Sequence, residues 1–317
     1  MSLLTHSEGG LFYRKYVVDG ETLGRVVVGF VFFTVLWGWI WFRIRRFLLR
    51  KYAGFDGAEL AVVFSSRMNA PFDLRPFLAR HSERRIRIFD MIGRRGRFIT
   101  LGSVGFLHMY GQIARDPAPG FLVPFAQDNV FDAVLFGWIA LVAYRSDGFL
   151  GRVFFGAQAR LMDGSLARAN CLLISTLWSV FKLVLVPIGI QLVKYFPPNT
   201  YAALFGFVWL SYMAADTFSE VVGATLGKQK LKVWGVGDVN RKSVAGTVAG
   251  FVASLAACLA IVFSQGLPTE WLYLAVVISV SNTLLELFSP RGTDDFTMAT
   301  ANALLCWAFG IWMYAGG

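Results

Sequence analysis

Read from the N terminus, the chain alternates long apolar runs with short polar or charged ones. Residues 26–42, VVVGFVFFTVLWGWIWF, form an apolar run closed by Arg25 and Arg43. Further runs cover 169–193, 201–222, 244–264, 271–288 and 296–315, and two less regular ones cover 98–114 and 121–144. A helix needs about 17–25 apolar residues to cross the hydrocarbon core of a bilayer. The pattern therefore predicts an all-α, polytopic helical membrane protein with about seven or eight transmembrane helices. The runs at 98–114 and 121–144 fit either a hairpin of two spans or one span with a re-entrant piece. The first holds His108; the second holds Asp128, Asn129 and Asp132. The polar joints are short, and FPPNT at 196–200 reads as a turn.

Composition agrees with a lipid environment. The 317 residues are 56% hydrophobic and 16% charged, with a mean hydropathy of +0.55; soluble domains carry nearer about 25% charged residues. The formal net charge is +10. It is concentrated between Arg43 and Arg115, where 15 Lys and Arg face five acidic residues, so the rest of the chain balances to zero. This divides the chain into residues 1–120, one span plus a basic region with partly interfacial, amphipathic helices, and residues 121–317, a helical transmembrane domain. Basic segments beside apolar spans are expected against anionic headgroups on the cytoplasmic side, not on nucleic acid. The three cysteines and three histidines form no metal-ligand spacing. No cleavable signal peptide is evident, since the first apolar run lacks a small-residue cleavage site.

Loop charge sets the expected orientation. Residues 228–243 contain Lys228, Lys230, Lys232, Arg241 and Lys242 against Asp238 alone, which places this loop in the cytoplasm. Two spans later the chain returns to the same side at ELFSPRGTDD, so both polar loops of the C-terminal half share one face.

That face collects unusual chemistry. In ADTFSEVVGATLGK, residues 215–228, Asp216, Glu220, Gly223 and Gly227 are spaced 4, 3 and 4 and form one helical stripe. Acid occupies its first half; the second half lacks side chains and lets another group approach. Lys242 and Ser243 stand at the start of the next helix, where free N–H groups and the dipole favour an anion. Asn282 and Glu286 repeat an i, i+4 pattern, followed by Asp294 and Asp295. Carboxylates, cations and glycines at one membrane face are what a magnesium-bound polyphosphate requires. The bland reading of Gly246-x-x-x-Gly250 is close packing of two helices. Ionisable groups inside spans cost about 2.5–3.5 kcal/mol each to insert, which argues for function at Asp216 and Glu220. Asp128, Asp132 and Lys182 either pair or line a polar cleft. WGVGD at 234–238 lacks the third glycine and the preceding strand of a dinucleotide fingerprint.

The three segments ADTFSEVVGATLGKQKLK, NRKSVAGTVAGF and LLELFSPRGTDDF together resemble the membrane kinases of isoprenoid alcohols, the phytol and farnesol kinases. Dolichol kinases and CTP-dependent diacylglycerol kinases belong to the same broad group, and CDP-diacylglycerol-forming cytidylyltransferases share its plan more distantly. The likeness covers about 201–315. Ala215 and Thr217 stand where the family has glycines beside the aspartate, and the family's N-terminal Arg-Lys…His element is not evident. The resemblance implies phosphoryl transfer from CTP, or another nucleoside triphosphate, to a lipid alcohol, with Mg2+. It implies Asp216 and Glu220 as metal ligands, one of them also accepting the hydroxyl proton. Gly223, Gly227, Lys228, Lys230, Lys242, Ser243 and Gly246 would hold phosphates, and Glu286, Asp294 and Asp295 would complete the metal shell. The competing readings are a CDP-lipid-forming cytidylyltransferase and a non-enzymatic transporter or scaffold.

Overall fold

The structure, a computed structural model, describes residues 24, 28, 31–64, 73–115, 133–134, 137–138, 140–145, 148–232, 242–290 and 292–314. These residues form helices and no strand; Lys230 and Ser243 make one isolated antiparallel bridge. After a π-helical turn, Val31–Leu36, the α-helices with both ends among the described residues are α1 (Trp37–Leu48), α2 (Gly57–Val63), α3 (Arg75–Arg80), α4 (Glu83–Arg115), α5 (Phe149–Gln158), α6 (Ala167–Tyr195), α7 (Tyr201–Thr225), α8 (Val244–Ser264), α9 (Trp271–Phe288) and α10 (Asp294–Tyr314). The all-helical expectation holds. Among the described residues, however, only α8, α9 and α10 are long and apolar enough to cross a membrane, fewer than the seven or eight expected. The run 98–114 is not an element of its own. It continues the arginine-rich segment as the second half of the 33-residue α4. Asp128 and Asp132, and the side chains of His108 and Lys182, lie outside the described residues.

The C-terminal helices pack through aromatic rings and small residues. Trp271 is fully buried, with its ring 5.4 Å from Phe309, 5.5 Å from Phe207 and 5.7 Å from Phe196. Helices α7 and α8 approach along Gly246 and Gly250. A Cβ at Gly246 would stand 2.6 Å from the Ser219 carbonyl oxygen, and one at Gly250 would stand 3.0 Å from that of Ala215. This is the close contact that the small-x-x-x-small spacing predicts. Deep in the bundle, Asn282 donates to Ser254 (3.0 Å) and Ser211 (3.3 Å), and Asn302 donates to Ser211 (3.0 Å), which ties α7, α8, α9 and α10 together. Between α9 and α10 the chain reverses at Gly292, whose φ of 79° suits glycine alone at low cost.

The N-terminal helices have their own apolar core of Phe42, Leu49, Phe55, Leu60, Phe64, Phe77 and Ile86. Asp56 and Glu59 close a reciprocal capping box at the start of α2. The basic region is not all surface, as its sequence pattern predicts. Arg45 is fully buried. Its Nε donates to Asp90 at 2.9 Å, and its two terminal nitrogens donate to the carbonyls of Gly156 and Ala159, each at 2.6 Å. One guanidinium thus clamps α1, α4 and the end of α5. Removing one partner of a buried pair costs about 3–5 kcal/mol because the other charge is stranded. We expect Arg45→Met to lower unfolding stability by that order in detergent, and Arg45→Lys, which keeps the charge but not the planar fork, to lose less. Equal losses in both would count against the clamp.

Candidate metal and phosphate site

The site forms where one end of the α7–α10 bundle meets α4. Helix α8 starts there, α9 ends there and α10 starts there, so the loops before α8 and between α9 and α10 share an end as expected. Ser243 caps α8, its Oγ accepting from the Gly246 N–H at 3.2 Å. Acidic Asp294 and Asp295 occupy the first turn of α10, where the helix dipole favours them.

Three carboxylates that are far apart in sequence meet here. Asp216 of α7, Glu286 of α9 and Asp294 of α10 each offer an oxygen within 4.8 Å of the others. Oxygen ligands at about 2.0–2.6 Å on opposite sides of one divalent ion would be about 4–5 Å apart, so this spacing fits a single ion. Asp216 and Glu286 are 3% and 7% exposed. The Ser219 hydroxyl donates to Glu286 Oε1 at 3.1 Å, and Lys242 Nζ pairs with the same oxygen and lies 3.8 Å from Asp294. Glu286 Oε2 is buried with no hydrogen-bond partner, as is Asp295 Oδ1. A buried carboxylate oxygen without a donor is costly, and a hard cation is one of the few groups that would satisfy it. By that test the residues present fit a divalent metal.

Arginines fill the other side. Arg95 reaches both Asp216, with Nη2 2.7 Å from Oδ1, and Glu220. Arg94 Nη2 donates to Glu220 Oε1 at 2.8 Å, its Nε is 3.3 Å from Asp90, and Arg160 lies 3.5 Å from Glu220. Burial opposes charge on Arg95, but Asp216 and Glu220 outweigh it and hold its pKa well above the ordinary value. Arg94 is raised in the same way, against burial, by Glu220 and Asp90. The cavity between these groups is about 90 Å³ and is lined by Arg87, Asp90, Arg94, Arg95, Arg160, Asp216, Ser219, Glu220, Gly223, Lys242, Ser243, Gly246, Glu286 and Asp294, among others.

The three sequence segments therefore converge, with some members in other roles. Glu220 is held by arginines and stands outside the carboxylate trio. Asp295 is outside it too. Gly227 packs on Ser243, where an added Cβ would be 2.4 Å from Oγ. Lys228 and Lys230 are exposed and do not line the cavity. Lys230 instead joins the backbone bridge to Ser243, flanked by the bonds Leu231 N–H to Lys242 O and Val244 N–H to Gln229 O, both 3.1 Å. That bridge ties residues 229–231 to 242–244. Sequence reading missed Asp90, Arg94, Arg95 and Arg160. The signal was IGRRGR, an arginine pair between glycines, in a region read as interfacial. Carboxylates in an apolar helix demand counter-cations, and the chain stores its excess there.

Lys242 gives a pH test. Burial lowers its pKa, but Glu286 and Asp294 together raise it above the ordinary 10.5. A raised amine stabilises fully below its unfolded pKa and ceases to as pH climbs through the folded value. The gap in thermal midpoint between the wild type and Lys242→Met should close as pH rises past about 10. A gap unchanged in stronger alkali would remove this ion pair from the account.

The fold and site together define a helical protein with three helices long and apolar enough to cross a membrane, among the described residues, and a polar, charge-balanced chamber at their shared end. Compared with known protein families, curated proteins and solved structures, the chain matches none.

Proposed function

We propose that the protein is a Mg2+-dependent kinase that transfers the γ-phosphoryl group of CTP, or another nucleoside triphosphate, to the hydroxyl of an isoprenoid or similar lipid alcohol at the cytoplasmic face of the membrane. The observation that carries this reading is the meeting of Asp216, Glu286 and Asp294 with Lys242 at one chamber. These are the segments in which the likeness to phytol and farnesol kinases lies. In this reading parts of the N-terminal half and α6 and α7 also cross the bilayer, which brings the spans to seven or eight.

Asp216, Glu286 and Asp294 would hold the metal, which when bound supplies neutralising charge for the phosphates. Phosphoryl transfer needs little covalent help from the protein; in-line positioning and charge stabilisation dominate. Lys242 stands beside the carboxylates as a phosphate ligand, and the capped start of α8 keeps its first turn in place. The alcohol oxygen forms a new bond to phosphorus while the bond to the departing nucleoside diphosphate breaks. The hydroxyl proton passes to a carboxylate, Asp216 or Glu220. Because the chamber lies at helix ends, the hydroxyl reaches it with the tail still in lipid.

The test is purified protein with labelled CTP, Mg2+ and a panel of phytol, farnesol, dolichol and diacylglycerol. A phosphorylated alcohol with CDP is the expected outcome. CDP-lipid with pyrophosphate would make it a cytidylyltransferase. No turnover, with tracer flux through liposomes, would make it a transporter.

A further inference from the structure

We infer that Arg95 is an exchangeable counter-ion: it occupies Asp216 and Glu220 until a divalent cation takes Asp216, and its guanidinium then binds the phosphates that arrive with that cation. This rests on the metal and polyphosphate reading of the chamber, but not on which acceptor is phosphorylated.

Four observations lead there. The first is size. At about 90 Å³ the cavity is well below the about 300–1,000 Å³ of pockets that hold organic ligands. A triphosphate enters only if side chains leave. The second is which side chains are able to leave. Helix α4 is pinned against α1 on both flanks of the arginine pair. A Cβ at Gly93 would be 3.1 Å from the Arg45 Cα, and one at Gly96 would be 2.2 Å from the Trp41 ring. The backbone therefore stays, and the long arginine side chains are the movable parts. Glu220 also keeps Arg94 and Arg160 when Arg95 departs.

The third observation is charge. The ionisable side chains lining the cavity are Arg87, Arg94, Arg95, Arg160 and Lys242 against Asp90, Asp216, Glu220, Glu286 and Asp294, five of each sign. A divalent cation alone would leave this buried set too positive, and a polyphosphate alone would leave it too negative. Unbalanced charge is heavily penalised where water is scarce. Each ligand therefore favours the other. The fourth is an opening for the cation. Glu286, a member of the carboxylate trio, is 7% exposed and its Oε2 is buried without a hydrogen-bond partner, so one of its oxygens is free before Arg95 moves. A guanidinium suits the second role because its planar fork binds phosphate oxygens in pairs.

The experiment measures Mn2+ binding to the full-length protein in detergent by electron paramagnetic resonance, with and without inorganic tripolyphosphate. A site-localised signal is assigned by its loss in Asp294→Asn. In the wild type, tripolyphosphate should tighten Mn2+ binding by about tenfold, within the usual span of coupled sites. Arg95→Gln should bind Mn2+ alone more tightly than the wild type and lose most of the tripolyphosphate enhancement. General damage would weaken both, so opposite signs are the diagnostic. Should Arg95→Gln not fold, Arg95→Lys decides. It keeps the charge and lacks the fork, so a reduced enhancement is expected and full retention overturns the exchange. Unchanged enhancement in Arg95→Gln overturns it, as does wild-type protein that binds no Mn2+ under either condition. Opposite-signed effects without turnover of any lipid alcohol would sustain the exchange and overturn only the kinase.

Discussion

Asp216→Asn is expected to lower turnover by at least about 10²-fold, equivalent to about 2.7 kcal/mol of barrier, while the protein still folds. The two halves of that expectation have different causes. Turnover falls because an amide keeps one oxygen but loses the charge that holds a hard divalent cation. The fold survives because Asp216 sits within 4.8 Å of Glu286 and Asp294, a group of like charges whose repulsion the substitution relieves. Arg95 keeps Glu220 as a partner. Functional sites commonly trade stability for activity in this way. Initial rates with labelled CTP, paired with melting curves in detergent, check both. Full activity in Asp216→Asn would take this residue out of the chemistry.

Gly246→Ala should damage both stability and activity although it adds only one methyl group. The new methyl would meet the Ser219 carbonyl oxygen at 2.6 Å and the Gly223 Cα at 3.1 Å. Both are backbone atoms and cannot rotate aside, so α7 and α8 must separate. Overpacking of this kind costs about 1–3 kcal/mol. It also shifts Asp216 and Ser219 on α7 relative to Lys242 and Glu286. A displacement on the order of 1 Å is enough to cost about 10²-fold in rate. Gly266→Ala is the matched control. Gly266 lies in the turn at the opposite end of α8 and has a φ of 59°, but nothing stands within 4 Å of its Cβ position. It should lose about 1 kcal/mol from backbone strain and no activity. Equal activity losses in the two variants would show that helix separation is not what disables the site.

Much of the C-terminal half is legible in sequence because its information is local. Hydrophobic runs mark α8, α9 and α10, a serine before a small-residue stretch marks the start of α8, and Gly246-x-x-x-Gly250 marks a close helix contact. Charge in the flanking loops brings Lys242, Glu286 and Asp294 to one end. Each of these follows from residues within a turn or two of one another. The same logic failed for Lys228 and Lys230. Their charge is plain in sequence, but whether a lysine points into a chamber or into solvent depends on the backbone bridge that turns the chain at Ser243.

The sequence by itself thus determined that this is an all-helical chain with segments long and apolar enough to cross a membrane, and that acid, base and glycine gather at one end of them. Only the tertiary structure decided which charges face which. Arg94 and Arg95 lie more than a hundred positions before Glu220 and look like surface cations in a basic stretch. They become internal counter-ions because two glycines let α4 lie close to α1 while its arginines meet α7. Pairing across such distances is set by packing geometry and by the cost of leaving a buried charge alone. Neither leaves a periodic mark on the chain.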